Sequence, residues 1–164
     1  MADPNDYPAH RKLVTRLEEA GVGFEVSEHE PVYTSAEAAA VRGVELHSGA
    51  KALILKAGNR FVMVVLPADM SLNSKATKKN LGCKSIRFAS KEEVLSLTGL
   101  EPGSIPPLGS LFDLPTYCDA RLAENERINF NAGAHTLSVS MSYDDFIVIE
   151  HPAFGVFAAE ADTH

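Results

Sequence analysis

The sequence is poor in the residues that build most recognisable catalytic centres. It holds two cysteines, Cys83 and Cys118, with neither CxxC spacing nor a partnered histidine pattern. They read as two reduced, semi-buried thiols of a cytosolic protein. The alternative, a cysteine nucleophile, needs a basic neighbour to lower its pKa. GxGxxG, GxxxxGK(S/T) and GxSxG are all missing. The six histidines are His10, His29, His47, His135, His151 and His164. None pair at i, i+4, and none stand near a cysteine at ligand spacing, so no metal and no cofactor are expected. No run approaches the ~18 uninterrupted apolar residues of a membrane span. The longest, Phe61 to Leu66, has the length of a buried strand. The first residues, Met1-Ala2-Asp3-Pro4-Asn5-Asp6, lack the basic-then-apolar design of a signal peptide.

Positive charge is also scarce. The formal net charge is −7, which argues against a general nucleic-acid binder. The balance is uneven, however. Lys75, Lys78, Lys79, Lys84 and Arg87 follow one another with no Asp or Glu between them. Such a run is either a solvated helix face or a local patch that docks a phosphate backbone. Apolar residues at 45% and charged residues at 23% give an ordinary globular balance. The 164 residues suit one domain able to bury its own core.

Residues 8–20 have helical spacing at Leu13, Val14 and Leu17, with Gly21 as a stop. Phe24 to Val26 alternates as a short strand. Thr34 and Glu37 have capping-box spacing, opening a short helix to Val41. Ala52–Leu55 and Phe61–Leu66 predict two strands joined by a turn over Lys56 to Arg60. Residues 73–81 predict a helix stopped by Gly82, and Ser85–Phe88 a strand. Ser90 and Glu93 repeat the capping-box pattern for a helix to about Leu97. Strands follow over Thr116–Asp119 and Arg127–Phe130. Leu137, Val139 and Met141 alternate with Ser138 and Ser140 as a half-buried strand. Ser142 caps a last helix to about Ile149, and no element is assigned after Pro152. Helices and strands do not alternate strictly. The order predicts an α/β (α+β) domain with a mixed, largely antiparallel sheet and flanking helices, and argues against a doubly wound parallel topology.

Two features stand out chemically. Six of the eleven residues from Gly99 to Gly109 are Gly or Pro, too many for a helix or central strand. Such a stretch is either a structural crossover or a rigid array of amide donors for an ester, a carboxylate or a developing oxyanion. Lys51 stands at the mouth of an apolar strand, just after Gly49. It either holds a phosphate or carbonyl as a point charge or snorkels to solvent.

Five ordered blocks together resemble the YbaK / prolyl-tRNA-synthetase-associated editing domain family. They are His29-Glu30-Pro31-Val32-Tyr33-Thr34-Ser35-Ala36-Glu37-Ala38, Gly49-Ala50-Lys51-Ala52-Leu53-Ile54-Leu55, Val64-Val65-Leu66-Pro67-Ala68-Asp69, the loop from Thr98 to Gly109, and Asn131-Ala132-Gly133-Ala134-His135-Thr136-Leu137-Ser138-Val139. The likeness spans roughly residues 10 to 150. It implies a barrel-like mixed sheet and hydrolysis of the ester between a wrong amino acid and tRNA, in the cytoplasm and in trans. Removal of a small residue such as Ala, Ser or Thr from tRNA(Pro) or another tRNA is expected. The resemblance assigns the catalytic lysine to Lys51. It assigns aminoacyl binding to Gly103, Ser104, Ile105, Pro106 and Gly109, and to the turn formed by Asn131, Ala132, Gly133, His135 and Thr136. Some members have a Gly-rich run where this turn stands, which leaves the substrate amino acid open. Lys75, Lys78 and Lys79 become acceptor-stem contacts. The partners implied are aminoacylated tRNA and, by association, prolyl-tRNA synthetase. A non-catalytic aminoacyl-tRNA or nucleotide binding module of the same fold is the alternative.

Overall fold

The computed structural model describes residues 7–31, 36–37, 40 and 45–160. Helix α1 (Pro8–Glu19) leads into β1 (Phe24–Glu28). The capping position Thr34 lies outside the described residues, although Ala36, Glu37 and Ala40 are helical. There follow β2 (Ala50–Ala57), β3 (Arg60–Pro67), β4 (Met70–Leu72), α2 (Ser74–Leu81), β5 (Ile86–Phe88) and α3 (Lys91–Thr98). After the Gly/Pro loop come β6 (Thr116–Asp119), β7 (Arg127–Asn131), β8 (Leu137–Ser142), α4 (Tyr143–Glu150), β9 (Ala153–Gly155) and β10 (Ala158–Glu160).

Local signals explain the helices. Ser90 accepts from the Glu93 N–H, and the Glu93 carboxylate accepts from the Ser90 N–H, completing a reciprocal cap. Ser142 accepts from the Asp145 N–H, with Asp144 and Asp145 in the positive first turn of α4. The predicted β2–β3 turn is tighter than its sequence suggests. Ala57 pairs with Arg60, so only Gly58 and Asn59 lie outside the ladder.

The strands form sheets in the orders β5-β2-β3-β6-β9, β1-β8-β7 and β10-β4. Pairing is antiparallel except for β3–β6 and β6–β9. A parallel bridge from Gly49 to Asn129 joins the first two sheets edge to edge. Among the described residues these ladders do not close on themselves, so the architecture is a mixed, curved α+β sheet rather than a closed barrel.

The β2–β3 hairpin is buried on both faces, as its apolar run requires. Ala50, Ile54, Met63 and Val65 face a main core shared with Leu13 and Leu17 of α1, Val94 of α3 and Phe146 of α4. Leu55, Val62, Val64 and Leu66 face a smaller core closed by Leu81 of α2, Met70, Phe157 and Ala158. Strands β4, β9 and β10, three residues each, have no counterpart in the sequence reading.

A buried carboxylate ties the end of the chain to this frame. Asp119 is 1% exposed. It accepts from the N–H groups of Phe157 and Ala158, each at 2.8 Å, and from the Arg121 N–H and guanidinium. Burial alone pushes its pKa up, but the Arg121 and backbone hydrogen bonds outweigh it and hold the carboxyl below its ordinary value.

A candidate ester site on the polar face of the sheet

Register decides which side chains can meet. In the β7–β8 ladder Asn131 opposes Ser138 and Asn129 opposes Ser140, and opposed side chains share a face. The main core takes Ile128, Phe130, Leu137, Val139 and Met141. Asn129, Asn131, Ser138 and Ser140 therefore lie on the other face. The Gly49–Asn129 bridge carries β2 alongside. Two residues further along each strand stand Lys51 and Asn131. Ala50 and Ala52 turn toward the main core, so Lys51 projects to the same side as Asn131 and Ser138.

Lys51 is half-buried and makes no hydrogen bond or ion pair within the described residues. Burial lowers its pKa, and the charge of Asp69 opposes that shift. A partly desolvated ammonium without a carboxylate contact is a strong donor for a phosphate or carbonyl oxygen.

His29 follows β1 and reaches the same face. Its Nδ1 lies 2.8 Å from the Glu30 carbonyl, which only accepts, so Nδ1 carries the proton in the neutral ring. Nε2 then accepts from the Ser138 hydroxyl at 2.7 Å. The His29 N–H donates to the Thr136 carbonyl, fixing this segment to the turn between β7 and β8. Sequence alternation placed Ser138 on a solvent face, yet it is 3% exposed. Its one legible signal was the polar residue directly across the ladder, Asn131.

The Gly/Pro loop is divided between two environments. Gly103 is exposed with φ +90°, and its carbonyl accepts from the Asn131 amide. A Cβ at Gly103 would lie 3.5 Å from His135 Cε1. His135 Nε2 in turn stands 3.5 Å from the Glu101 carboxylate. Ser104 is buried. Its hydroxyl donates to the Glu101 carbonyl at 2.8 Å, and its own carbonyl accepts from the Gly133 N–H at 2.9 Å. Ile105, Pro106 and Gly109 are buried, with Ile105 in the main core, and do not reach the open face. At Gly109 a Cβ would stand 2.4 Å from Thr116 Oγ1. Glu150 anchors this end, accepting from the Ser110 N–H (3.0 Å), the Ser110 hydroxyl (2.5 Å) and the Thr116 hydroxyl (2.6 Å).

The turn after β7 divides as well. Asn131, His135 and Thr136 are half-buried. Ala132 and Gly133 are buried against α1, where His10 Nδ1 donates to the Ala132 carbonyl at 2.8 Å. Gly133 has φ +94°, and a Cβ there would sit 2.8 Å from the His10 backbone N. Gly133→Ala therefore combines backbone strain with a clash that a side-chain rotation does not relieve. A loss of about 2–4 kcal/mol is expected in urea unfolding.

Lys75 and Lys79 on α2 are exposed and Lys78 is half-buried. Helix α2 covers the smaller core, the sheet face toward which Lys51 also projects. The basic run is shorter in space than in sequence. Arg87 forms a two-point pair with Glu93 at 2.7 and 2.9 Å. That hydrogen bond and the Ser90 N–H hold the Glu93 carboxyl at about 2.

Cys118 is fully buried, and burial together with neighbouring Asp119 pushes its thiol up to about 12. A thiol so protonated is no nucleophile at neutral pH. Cys118→Ala should keep activity within about twofold, and maleimide should not label the native protein at this position. Among the described residues no three His, Cys, Asp or Glu side chains cluster as a metal site, and no helix is long and apolar enough to cross a membrane.

The structure sets a half-buried lysine on a mixed α+β sheet, and the known proteins that the chain resembles are aminoacyl-tRNA editing domains. The aminoacyl-tRNA editing domain model matches residues 29–149, and the chain belongs to that family. The Ser/Thr-tRNA deacylase ProXp-y of Escherichia coli (strain K12) is 33% identical over 148 residues, 87% of this chain and 89% of the relative. A proline–tRNA ligase of Bacillus licheniformis is 32% identical over 154 residues, 87% of this chain but 27% of the ligase. The crystal structure of a candidate trans-editing enzyme for prolyl tRNA synthetase superposes with a TM-score of 0.82 at 23% identity, covering 93% of this chain and 98% of that one.

Proposed function

We propose that this chain, acting as one domain over residues 1–164, is a trans-editing deacylase. It hydrolyses the ester that joins a wrong, small amino acid to the acceptor end of a tRNA. The observation that carries this reading is Lys51, half-buried and without a carboxylate contact among the described residues, on the face shared by Asn131 and Ser138. Lys51 holds the terminal phosphate or the ester carbonyl, and the backbone around Gly103 receives the aminoacyl group beside Asn131 and His135. An aminoacyl ester is already activated, so positioning and oxyanion stabilisation suffice. Water adds to the carbonyl carbon, assisted by the ribose hydroxyl of the substrate. The bond to the ribose oxygen breaks, that oxygen takes a proton, and free amino acid and tRNA leave. Ser104, Ile105, Pro106, Gly109, Ala132 and Gly133 set the shape of this wall from behind rather than touching the substrate.

The relative that deacylates Ser- and Thr-tRNA favours serine and threonine among the small substrates. One methylene more or less in such a pocket discriminates by only ~1–3 kcal/mol. The likeness to prolyl-tRNA ligases supports tRNA(Pro) as a carrier, the synthetase as an associate, and a cytoplasmic setting. The deciding experiment is a deacylation panel with Ala-, Ser- and Thr-charged tRNA(Pro) and their cognate tRNAs. Release of a small amino acid above the uncatalysed rate is expected. Binding of these tRNAs without any release makes the protein a binding module instead.

A further inference from the structure

A second cationic surface lies away from Lys51. A cleft of 410 Å³ runs between the outer stripe of α1 and the turn that ends the Gly/Pro loop. Its charged lining is Arg11, Lys12, Arg16 and Glu19, with Pro8, Thr15 and Leu111 between them. In a chain of net charge −7, three cations against one carboxylate make a local reversal of sign. Two of these cations are held in place by neutral acceptors. Lys12 Nζ donates to the Leu111 carbonyl at 3.0 Å, and Arg16 donates to the Ser110 hydroxyl at 3.0 Å. Arg11 is exposed and has no side-chain partner within the described residues. None of the three pairs with a carboxylate there, in contrast to Arg87 and Arg121. The charges of Lys12 and Arg16 are oriented but not neutralised, and Arg11 adds a third, mobile cation beside them.

The cleft lies on the α1 side of the sheet and the candidate site on the opposite face, and the two border the same two segments. Asn131 lies on the site face, and the next residue, Ala132, receives the ring of His10, which precedes Arg11. Gly103 opens toward the site, and Ser110 and Leu111 at the far end of the same loop hold Arg16 and Lys12. We infer that the α1 cleft binds the phosphate backbone of tRNA whose aminoacylated end occupies the Lys51 site. This inference rests on the deacylase reading for the identity of the polyanion. A row of cations along one helix, two of them held and none paired with a carboxylate among the described residues, matches a phosphodiester chain. The contact carries no base sequence information, because charge and not base edges is what the cleft presents.

The test uses Arg11→Gln/Lys12→Gln in the full chain. These side chains are exposed, and circular dichroism and Tm verify that the fold is retained. Binding of uncharged tRNA is measured across a salt series. Loss of two phosphate contacts should weaken binding several-fold and reduce the slope of log K against log salt by about 1.4–1.8. For mischarged tRNA, KM should rise with kcat nearly unchanged. A short 3′-aminoacyl-adenosine ester, which cannot span the cleft, should be hydrolysed at the wild-type rate. If the double variant keeps the wild-type affinity and salt slope, the cleft is not a tRNA contact, whatever the activity. If it loses both, but wild-type protein releases no amino acid from any charged tRNA, the cleft stands and the deacylase reading falls.

Discussion

Lys51→Ala should reduce deacylation of the preferred mischarged tRNA by at least about a hundredfold, the usual cost of removing a charge-stabilising donor. Its folding stability should be unchanged or slightly higher. Both expectations follow from one feature. Lys51 is half-buried without an ion pair among the described residues, so the fold bears the cost of desolvating it and gains little in return. Burial lowers its pKa, so the ammonium loses its proton at a lower pH than an ordinary lysine. The wild-type rate should accordingly fall at alkaline pH, below the usual lysine range. Lys51→Arg, which stays charged, should lose that alkaline limb even where its rate is lower. Single-turnover hydrolysis across pH, with Tm recorded in parallel, checks each point. Wild-type rates from Lys51→Ala would remove Lys51 from the mechanism.

The largest stability effect is expected at Asp119. Asp119→Ala leaves the N–H groups of Phe157 and Ala158 without their acceptor and removes the carboxylate partner of Arg121, whose guanidinium keeps only the Ala158 carbonyl. The loss should be about 3–5 kcal/mol at pH 7. The carboxyl is held below its ordinary pKa in the folded protein. Its contribution is therefore complete above the unfolded value, about 3.9, and is lost as pH falls through the folded value. Urea unfolding should show the gap between wild type and variant narrowing as the pH drops below about 4. A gap of constant size down to pH 2 would mean that packing, not charge, sets the role of Asp119.

Much of the frame was legible because its causes are local. Ser90 with Glu93 and Ser142 with Asp145 announce their helices within four residues. The unbroken apolar run of β3 announces a strand covered on both faces. Strands β4, β9 and β10 escaped for the opposite reason. Each has three residues, too few for a period to register, and each exists through pairing with a distant strand such as β4 with β10. The site was legible in part. Lys51 and the turn from Asn131 to Thr136 are conspicuous in one dimension. Ser138 was not, because a serine alternating with apolar residues reads the same whether it faces water or a pocket. Composition also could not divide the Gly/Pro loop, since glycine serves open approach at Gly103 and close packing at Gly109.

That division of the loop bears on how such a protein can change its preference. Asn131, His135 and Thr136 are half-buried at the rim of the site, whereas Ile105, Leu108 and Gly109 are sealed into the core beside Ser110 and Thr116, which Glu150 holds. Substitutions that retune which amino acid is accepted thus fall mainly on positions with a small stake in folding. Positions with a large stake stand behind them as the mould. A lineage can then explore new substrates by drift at the rim without first acquiring compensating mutations in the interior.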